Sequence, residues 1–296
     1  MIVTMLVVFL GHVLLGLPLF IALLTTAIVG FLFVDPSMIP RMLPQQFFSG
    51  INVFSLMAIP LFIFAGNLMN VSGLTERLMG FARLIVGHLR GGMGHVNVVS
   101  SVFFAGVNGS AVADTSALGS LLVPAMEKEG YSRAFAAGLT AGSSLIGPII
   151  PPSIFMILYA SLTNTSVGDL FLAGVVPGLL LGVAFMGMNA WYAWRHRLPK
   201  SGQLPSIGQL GIAFAAALPA LIAPFIIVAG IVLGFVTPTE SGALTALYVA
   251  LCGFVLGGLR FKQCWQAIVD TARLTSAIFL IMAASATISW LLSYAQ

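Results

Sequence analysis

Charge is what this sequence has least of. Of its 296 residues only 7% are Asp, Glu, Lys or Arg, against about 25% in an ordinary soluble domain, and that scarcity excludes a water-soluble globular fold. Cysteine is nearly missing too. Cys252 and Cys264 form no CxxC pattern and have no neighbouring histidines, which excludes a disulfide framework and a zinc site. The histidines, His12, His88, His95 and His196, are too dispersed for a metal cluster. The short alternating segments of a transmembrane β-barrel do not occur. The net charge of +4 comes from Lys and Arg scattered over loops, so no nucleic-acid surface is expected and the basic residues serve as topology markers. No basic region precedes the first apolar stretch, and a cleaved signal peptide is therefore not expected.

What fills the chain instead is apolar sequence, 59% by composition, in long runs that predict an all-α polytopic membrane protein. Residues 1 to 34 predict two short spans broken at Pro18. Asp35 to Gln46, with Pro36, Pro40 and Pro44, predicts a loop, and Asn52 to Met69 a span kinked at Pro60. From Gly73 to Arg90, Leu74, Leu78, Phe81, Leu84, Ile85 and Leu89 recur at helical spacing among Glu76, Arg77, Arg83 and Arg90, the pattern of an amphipathic helix at the cytoplasmic interface. Val96 to Met126 has two apolar arms too short to cross, which predicts a re-entrant hairpin ending in the charged loop Glu127 to Arg133. Ala134 to Ala160 predicts two half-helices around an unwound centre. Leu170 to Trp194 returns, with Gly178, Gly182 and Gly187 near one face for close packing, to the basic cluster Arg195 to Lys200. A polar linker follows, then spans at Ile212 to Val236 and Ser241 to Gly257, and a last helix from Cys264 that starts amphipathic and becomes apolar. Positive-inside counting puts the N-terminus outside.

Two stretches carry chemistry. Gly106 to Ser116 and Ala141 to Ser153 are small, polar and helix-breaking inside apolar sequence, where unpaired backbone groups facing lipid would cost several kcal/mol each. Both predict irregular backbone lining a polar cavity. For the first, the competing account is tight helix packing through small residues, which does not call for Asn108 and Asp114 as well. An ionised Asp at a membrane helix centre costs about 2.5–3.5 kcal/mol, so Asp114 needs a cation, a wet cavity or a role as helix cap. Thr115 lies in the same stretch. For the second, the competing account is a simple proline kink, but Gly147-Pro148 with Pro151-Pro152 removes several ladder bonds at once. Hydroxyl and carbonyl oxygens at Ser143, Ser144 and Ser153 are of the kind a hard cation prefers.

Other residues give weaker signals. Glu127, Lys128, Glu129 and Arg133 are expected as a solvated loop, His95 as an interfacial histidine with a proton role as the alternative, and Thr237 to Glu240 as a capped turn that could also pair with the other half of the protein. Ser110, Asp114 and His95 together suggest an intramembrane hydrolase, yet no nucleophile elbow or HExxH occurs. No catalytic residue is therefore assigned. A non-transporting structural membrane subunit is a further alternative.

Ile59-Pro60-Leu61-Phe62-Ile63-Phe64-Ala65-Gly66-Asn67-Leu68-Met69, Gly109-Ser110-Ala111-Val112-Ala113-Asp114, Gly147-Pro148-Ile149-Ile150-Pro151-Pro152-Ser153, Leu170 to Gly178 and Thr237-Pro238-Thr239-Glu240 together closely resemble the large membrane subunit of tripartite ATP-independent periplasmic (TRAP) transporters. The resemblance covers nearly the whole chain in family order. It implies an ion-transporter-superfamily elevator fold with inverted repeats: scaffold helices over 1–71, an amphipathic arm over 72–93, the first half of a transport domain over 94–195 (hairpin about 96–126, broken helix 134–160, helix 170–194), a cytoplasmic linker over 196–210, second-repeat scaffold helices over 211–259, and a second arm and span over 260–296. It implies sodium-coupled uptake of organic acids, such as C4-dicarboxylates, sialic acid or other sugar acids, across the bacterial inner membrane. The implied partners are a periplasmic substrate-binding protein and a small four-helix membrane subunit, and sodium is the coupling ion with no other cofactor. Carried over by position, the first-repeat site draws on Asn108, Gly109, Ser110, Gly142, Ser143, Pro151, Pro152 and Ser153, with sodium held through Asn108, Ser110, Gly142, Ser143 and Ser153.

The family pattern continues into a second hairpin and a second broken helix that do not occur before Gln296, so the second repeat is expected to be incomplete. A carboxylate symporter of the same superfamily that needs no binding protein, or a truncated non-transporting subunit, are the alternatives this departure leaves.

Overall fold

The computed structural model describes residues 1–200, 204–256 and 258–294, with the side chains of Val107, Asn108 and Ala113 outside the description. Among the described residues the chain is helical, without strands. It forms two compact units, Met1–Leu56 together with the chain from Asp270 onward, and Met57–Val269. Four helical segments are long and apolar enough to cross a membrane, at Phe54–Val71, Val167–Arg195, Ile207–Val232 and Phe261–Tyr294.

In the first unit, α1 (Ile2–Leu14) and α2 (Leu19–Val34) flank Pro18, which cannot donate to a continuing helix. Asp35 then accepts from the Ser37 amide and opens a 3₁₀ turn, Pro36–Met38. The loop expected over Asp35 to Gln46 is instead mostly helix α3, Ile39–Ser49. Pro40 sits in its first turn, where a missing N–H costs no bond, and only Pro44 lies inside. Met5, Phe31 and Leu291 form the unit's core, and Gly30 lies so close under Met5 and Leu291 that a Cβ would not fit.

The second unit holds α4 (Ala58–Val71), α5 (Leu74–Val86), α6 (Gly92–Asn108), α7 (Ala111–Lys128), α8 (Arg133–Ser143), α9 (Ile154–Thr163), α10 (Val167–Arg195), α11 (Ile207–Val232) and α12 (Pro238–Val255). Pro60 does not kink α4. It occupies the first turn, after a 3₁₀ turn at Phe54–Met57. Ser or Thr caps start α8, α9, α10, α11 and α12, each side chain accepting an amide of the first turn. Thr237 and Glu240 form a reciprocal capping box at α12. The last helix, α13 (Phe261–Tyr294), has 34 residues. At about 1.5 Å per residue it is roughly 50 Å long, more than a bilayer core of about 30 Å.

Among the described residues, two cores build this second unit. Leu68, Leu74, Leu78, Ala217, Ala220, Val249 and Ala267 bury one. The other joins Ala82 and Val86 of α5 to Val96, Phe104, Leu118, Met126, Leu139 and Ile146. The apolar stripe of α5 thus packs on protein through Leu74, Leu78, Ala82 and Val86, spaced one turn apart, while Glu76 and Arg83 stay exposed.

Candidate functional site

Helices α6 and α7 run 17 and 18 residues on either side of a turn at Gly109 and Ser110. Each arm is about 25 Å long. Gly109 closes α6 in the left-handed region, with φ +55°, a conformation that costs an L side chain about 1–2 kcal/mol. It is also pressed against other backbone. A Cβ built there would lie 2.7 Å from the Pro152 carbonyl oxygen and 3.2 Å from the Ile154 nitrogen, so the hairpin tip rests directly on Pro152 to Ile154.

That contact is possible because the opposing chain is not a helix. α8 ends at Ser143, a 3₁₀ turn covers Ser144–Ile146, and no helix resumes until Ile154. Pro151 and Pro152, joined by a cis peptide bond, are buried with Ser153. The Ser153 hydroxyl donates to the Pro148 carbonyl at 2.6 Å and accepts the Met156 amide at 3.3 Å. One side chain therefore closes the unwound segment and starts α9. With α8 and α9 each about 15 Å long, the break lies midway along the pair.

Asp114 has no exposed surface. A Cβ at Gly147 would sit 3.0 Å from its Oδ2 and 3.6 Å from the Ala111 nitrogen, so the carboxylate lies against the first residue of the break, in the first turn of α7 where a helix N-terminus favours negative charge. The C-terminal ends of α6 and of the turn after α8 thus meet the N-terminal ends of α7 and α9. Carbonyl-bearing and amide-bearing helix ends therefore face one small region.

Not every expected residue turns toward it. The Ser143 hydroxyl meets Ser101 Oγ at 2.9 Å, on the side facing α6. Ser144 donates back to the Thr140 carbonyl at 2.8 Å and Thr115 to the Ala111 carbonyl at 2.7 Å. A Cβ at Gly142 would meet the Phe185 ring at 2.7 Å, which makes that glycine a packing position against α10. Ser110 is half-buried at the tip. The expectation on the Asn108 side chain lies outside the described residues, as does the linker at 201–203. The hydrolase alternative fails on distance, because His95 and the tip are separated by about 20 Å of helix.

Sequence reasoning put Gly178 and Gly182 on a close-packing face but missed Gly174. Gly174, Gly178 and Gly182, one turn apart on α10, let the unwound chain and α6 approach. A Cβ at Gly174 would strike the Ile149 carbonyl and the Met156 side chain, one at Gly178 the Ile150 side chain, and one at Gly182 would lie 3.3 Å from Val102 Cγ2. Gly187, expected on this face, has nothing within 4 Å. The four-residue spacing from Gly174 was the available signal.

The other end of the hairpin is anchored too. Tyr131, Asn189 and the Gly91 carbonyl form a buried triangle with bonds of 2.8, 2.8 and 3.2 Å, and burial pushes the Tyr131 hydroxyl up to about 12. Glu129 belongs here rather than to a purely solvated loop, since its Oε2 accepts the Met93 amide at the start of α6. Arg90 Nε donates to the Leu198 carbonyl at 3.1 Å. Three charged segments, ending α5, α7 and α10, therefore gather at one end.

The sequence model described as "Tripartite ATP-independent periplasmic transporter, DctM component" matches residues 6–296. The chain belongs to the DctM family of TRAP transporters. It is 37% identical over 291 residues to the sialic acid TRAP transporter large permease protein SiaM of Vibrio cholerae. It is 36% identical over 288 residues both to the 2,3-diketo-L-gulonate TRAP transporter large permease protein YiaN of Escherichia coli and to the ectoine TRAP transporter large permease protein TeaC of Halomonas elongata. In each case 97% of this chain aligns with 67% of the relative. This DctM-family chain is thus a multi-pass membrane protein that spans about two thirds of those permeases' length.

Proposed function

We propose that this chain supplies the first-repeat half of the binding site of a sodium-coupled organic-acid importer in the bacterial inner membrane. The observation that carries it is the meeting of the Gly109 turn with the unwound Pro148 to Ser153 segment around buried Asp114. Helix C-termini and hydroxyl oxygens there suit a small hard cation, and helix N-termini suit a carboxylate. Asn108, Ser110, Gly142, Ser143 and Ser153 remain the assigned sodium residues, Gly142 and Ser143 through their backbone carbonyls. A cation and an anion bound at adjoining helix ends favour each other, which is the coupling a symporter needs.

The cargo class follows the relatives. Sialic acid and diketogulonate, which name two of them, and the C4-dicarboxylate of a Pseudomonas aeruginosa relative all bear carboxylates. The partners in this reading are a small four-helix membrane subunit and a periplasmic binding protein. The gathering of Arg90, the Glu127 to Arg133 segment and Arg195 to Lys200 at one end supports a cytoplasmic placement of that end, and positive-inside counting along the sequence makes the N-terminus periplasmic in this reading. The motion in this reading is an elevator displacement, within a fold of inverted repeats.

Ser110→Leu and Pro152→Leu test it in the assembled transporter encoded by the native reading frame. Sodium-driven uptake should fall at least a hundredfold in both while the protein still inserts. Sodium-dependent uptake at the wild-type level in both would remove the site from this location.

A further inference from the structure

Between α7 and α8 runs a groove of about 450 Å³ with Thr115, Ser120, Pro124, Glu127, Arg133 and Thr140 among its lining. Its walls are mixed: Glu127 and Arg133, Ser120, and Thr115 with Thr140 supply polar groups at intervals between Val123, Pro124 and Ala137. At its mouth Arg133 and Glu127 pair at 3.8 Å, with 82% and 36% of their side chains exposed. Partway in, Pro124 has no N–H to give the Ser120 carbonyl, so one bond of the helix ladder is missing beside the groove. Gly119 and Ala137 keep the walls low.

The floor leads inward. Thr140 is 1% exposed, and its hydroxyl spends its one proton on the Ala136 carbonyl at 2.8 Å. It can only accept from Asn97, whose Nδ2 lies 2.6 Å away, and this fixes the amide's orientation. Asn97 Oδ1 then points away from Thr140 and, among the described residues, has no donor, in a residue with no exposed surface. Ser100 Oγ, on the same face three residues along, is buried and likewise has no partner among them. One turn from Asn97 and Thr140 toward the tip stand Ser101 and Ser143, paired at 2.9 Å. Buried oxygens with spare lone pairs thus run from the groove floor toward the break, a lining that water or a hard cation satisfies.

We propose that this groove is the cytoplasmic access route of the coupling cation, a small hydrated monovalent ion, between solution and the hairpin tip. The route rests on the cation-site reading given above. Glu127 and Arg133 form its mouth, and Thr140 and Asn97 the point where the ion passes from the groove to the buried oxygens.

The test uses Ser120→Cys and Ala137→Cys in the assembled transporter from the native reading frame, with Cys252 and Cys264 changed to Ser and uptake retained. Charged methanethiosulfonate reagents should label both at least tenfold faster in inside-out than in right-side-out membrane vesicles. A plug, Ala137→Phe at an exposed position, should slow sodium-driven uptake about tenfold and leave unchanged the sodium concentration that half-maximally stabilises the protein to heat. Lack of labelling from inside, equal labelling from both sides, or wild-type uptake by the plugged variant would each overturn the route. A failure of the site reading looks different: Ser110→Leu would then keep its sodium-dependent stabilisation, whatever the labelling shows.

Discussion

Alanine substitutions down one face of α10 read the packing of the unwound segment directly. At Gly187 an added Cβ meets nothing within 4 Å, so Gly187→Ala should gain the helix preference of alanine, about 0.5–1 kcal/mol. At Gly182 the neighbour is Val102 Cγ2 at 3.3 Å, a methyl that yields by a rotation of a few degrees, and the two effects should nearly cancel. At Gly178 the Ile150 side chain must turn away, placing the loss at about 1–2 kcal/mol, within the usual cost of overpacking. Gly174 is the severe case. Its Cβ would strike the Ile149 carbonyl, and that backbone can retreat only by moving Pro151 to Ser153 with it, so the loss should reach about 3 kcal/mol. Reversible unfolding in mixed detergent micelles would give the order, and sodium titration of the same variants should show weakened sodium affinity for Gly174→Ala alone. Equal destabilisation at Gly174 and Gly187 would refute the claim that this face holds the break.

Two further outcomes concern capping and anchoring. Tyr131→Phe leaves Asn189 Oδ1, in a residue with no exposed surface, short of a donor and should cost about 1–3 kcal/mol. Because the folded hydroxyl titrates above its unfolded value of about 10, wild-type stability should fall as pH rises from about 10 toward 12, and the Phe variant should lose that slope; an unchanged slope would reject the triangle. At α12 the Thr237 amide and hydroxyl hold the exposed Glu240 carboxyl below its ordinary value. Its contribution is complete above the usual carboxylate range and lost as pH falls through the lower folded value. Hydrogen exchange at the Ser241 amide should therefore rise on acidification more in the wild type than in Glu240→Gln, and identical pH profiles would count against the cap.

How much of this was legible depended on whether a residue's reason was local. The hairpin turn at Gly109, the break at Gly147 to Pro152 and the Ser and Thr caps were readable because helix-breaking and capping act within a few residues. The helix over Ile39–Ser49 was hidden by counting prolines without their positions, since only Pro44 lies beyond the first turn. Long-range causes left less trace. Nothing in the spacing of Tyr131 and Asn189 announces that they share the Gly91 carbonyl across 40 and 98 residues. That Gly142 is small was plain, but not that the Phe185 ring takes up the space its missing Cβ leaves. The direction of a helical side chain depends on which neighbour the helix meets, and that is a tertiary fact.

The two cores of the second unit divide α5 between them. Leu74 and Leu78 belong with α11 and α12, whereas Ala82 and Val86 belong with α6, α7, α8 and α10. The hairpin itself is tied at both ends, by Gly109 on Pro152 at the tip and by Tyr131, Asn189 and Gly91 at the base. Opening the site by lifting the tip alone would therefore break a backbone contact that only glycine permits. In the elevator motion proposed above, α5 is one of the elements that would have to accommodate displacement, beside the packing of α4 on α6 and of α10 on α11. Gly80 lies on its exposed side between the two sets of core residues. Phe81, stacked on Phe103 of α6 at 6.2 Å and tilted on Phe214 of α11 at 5.6 Å, links α5 to both helices there. Aromatic contacts of this kind contribute about 0.5–1.5 kcal/mol each, small enough to break and remake within a transport cycle and large enough to bias which arrangement is populated.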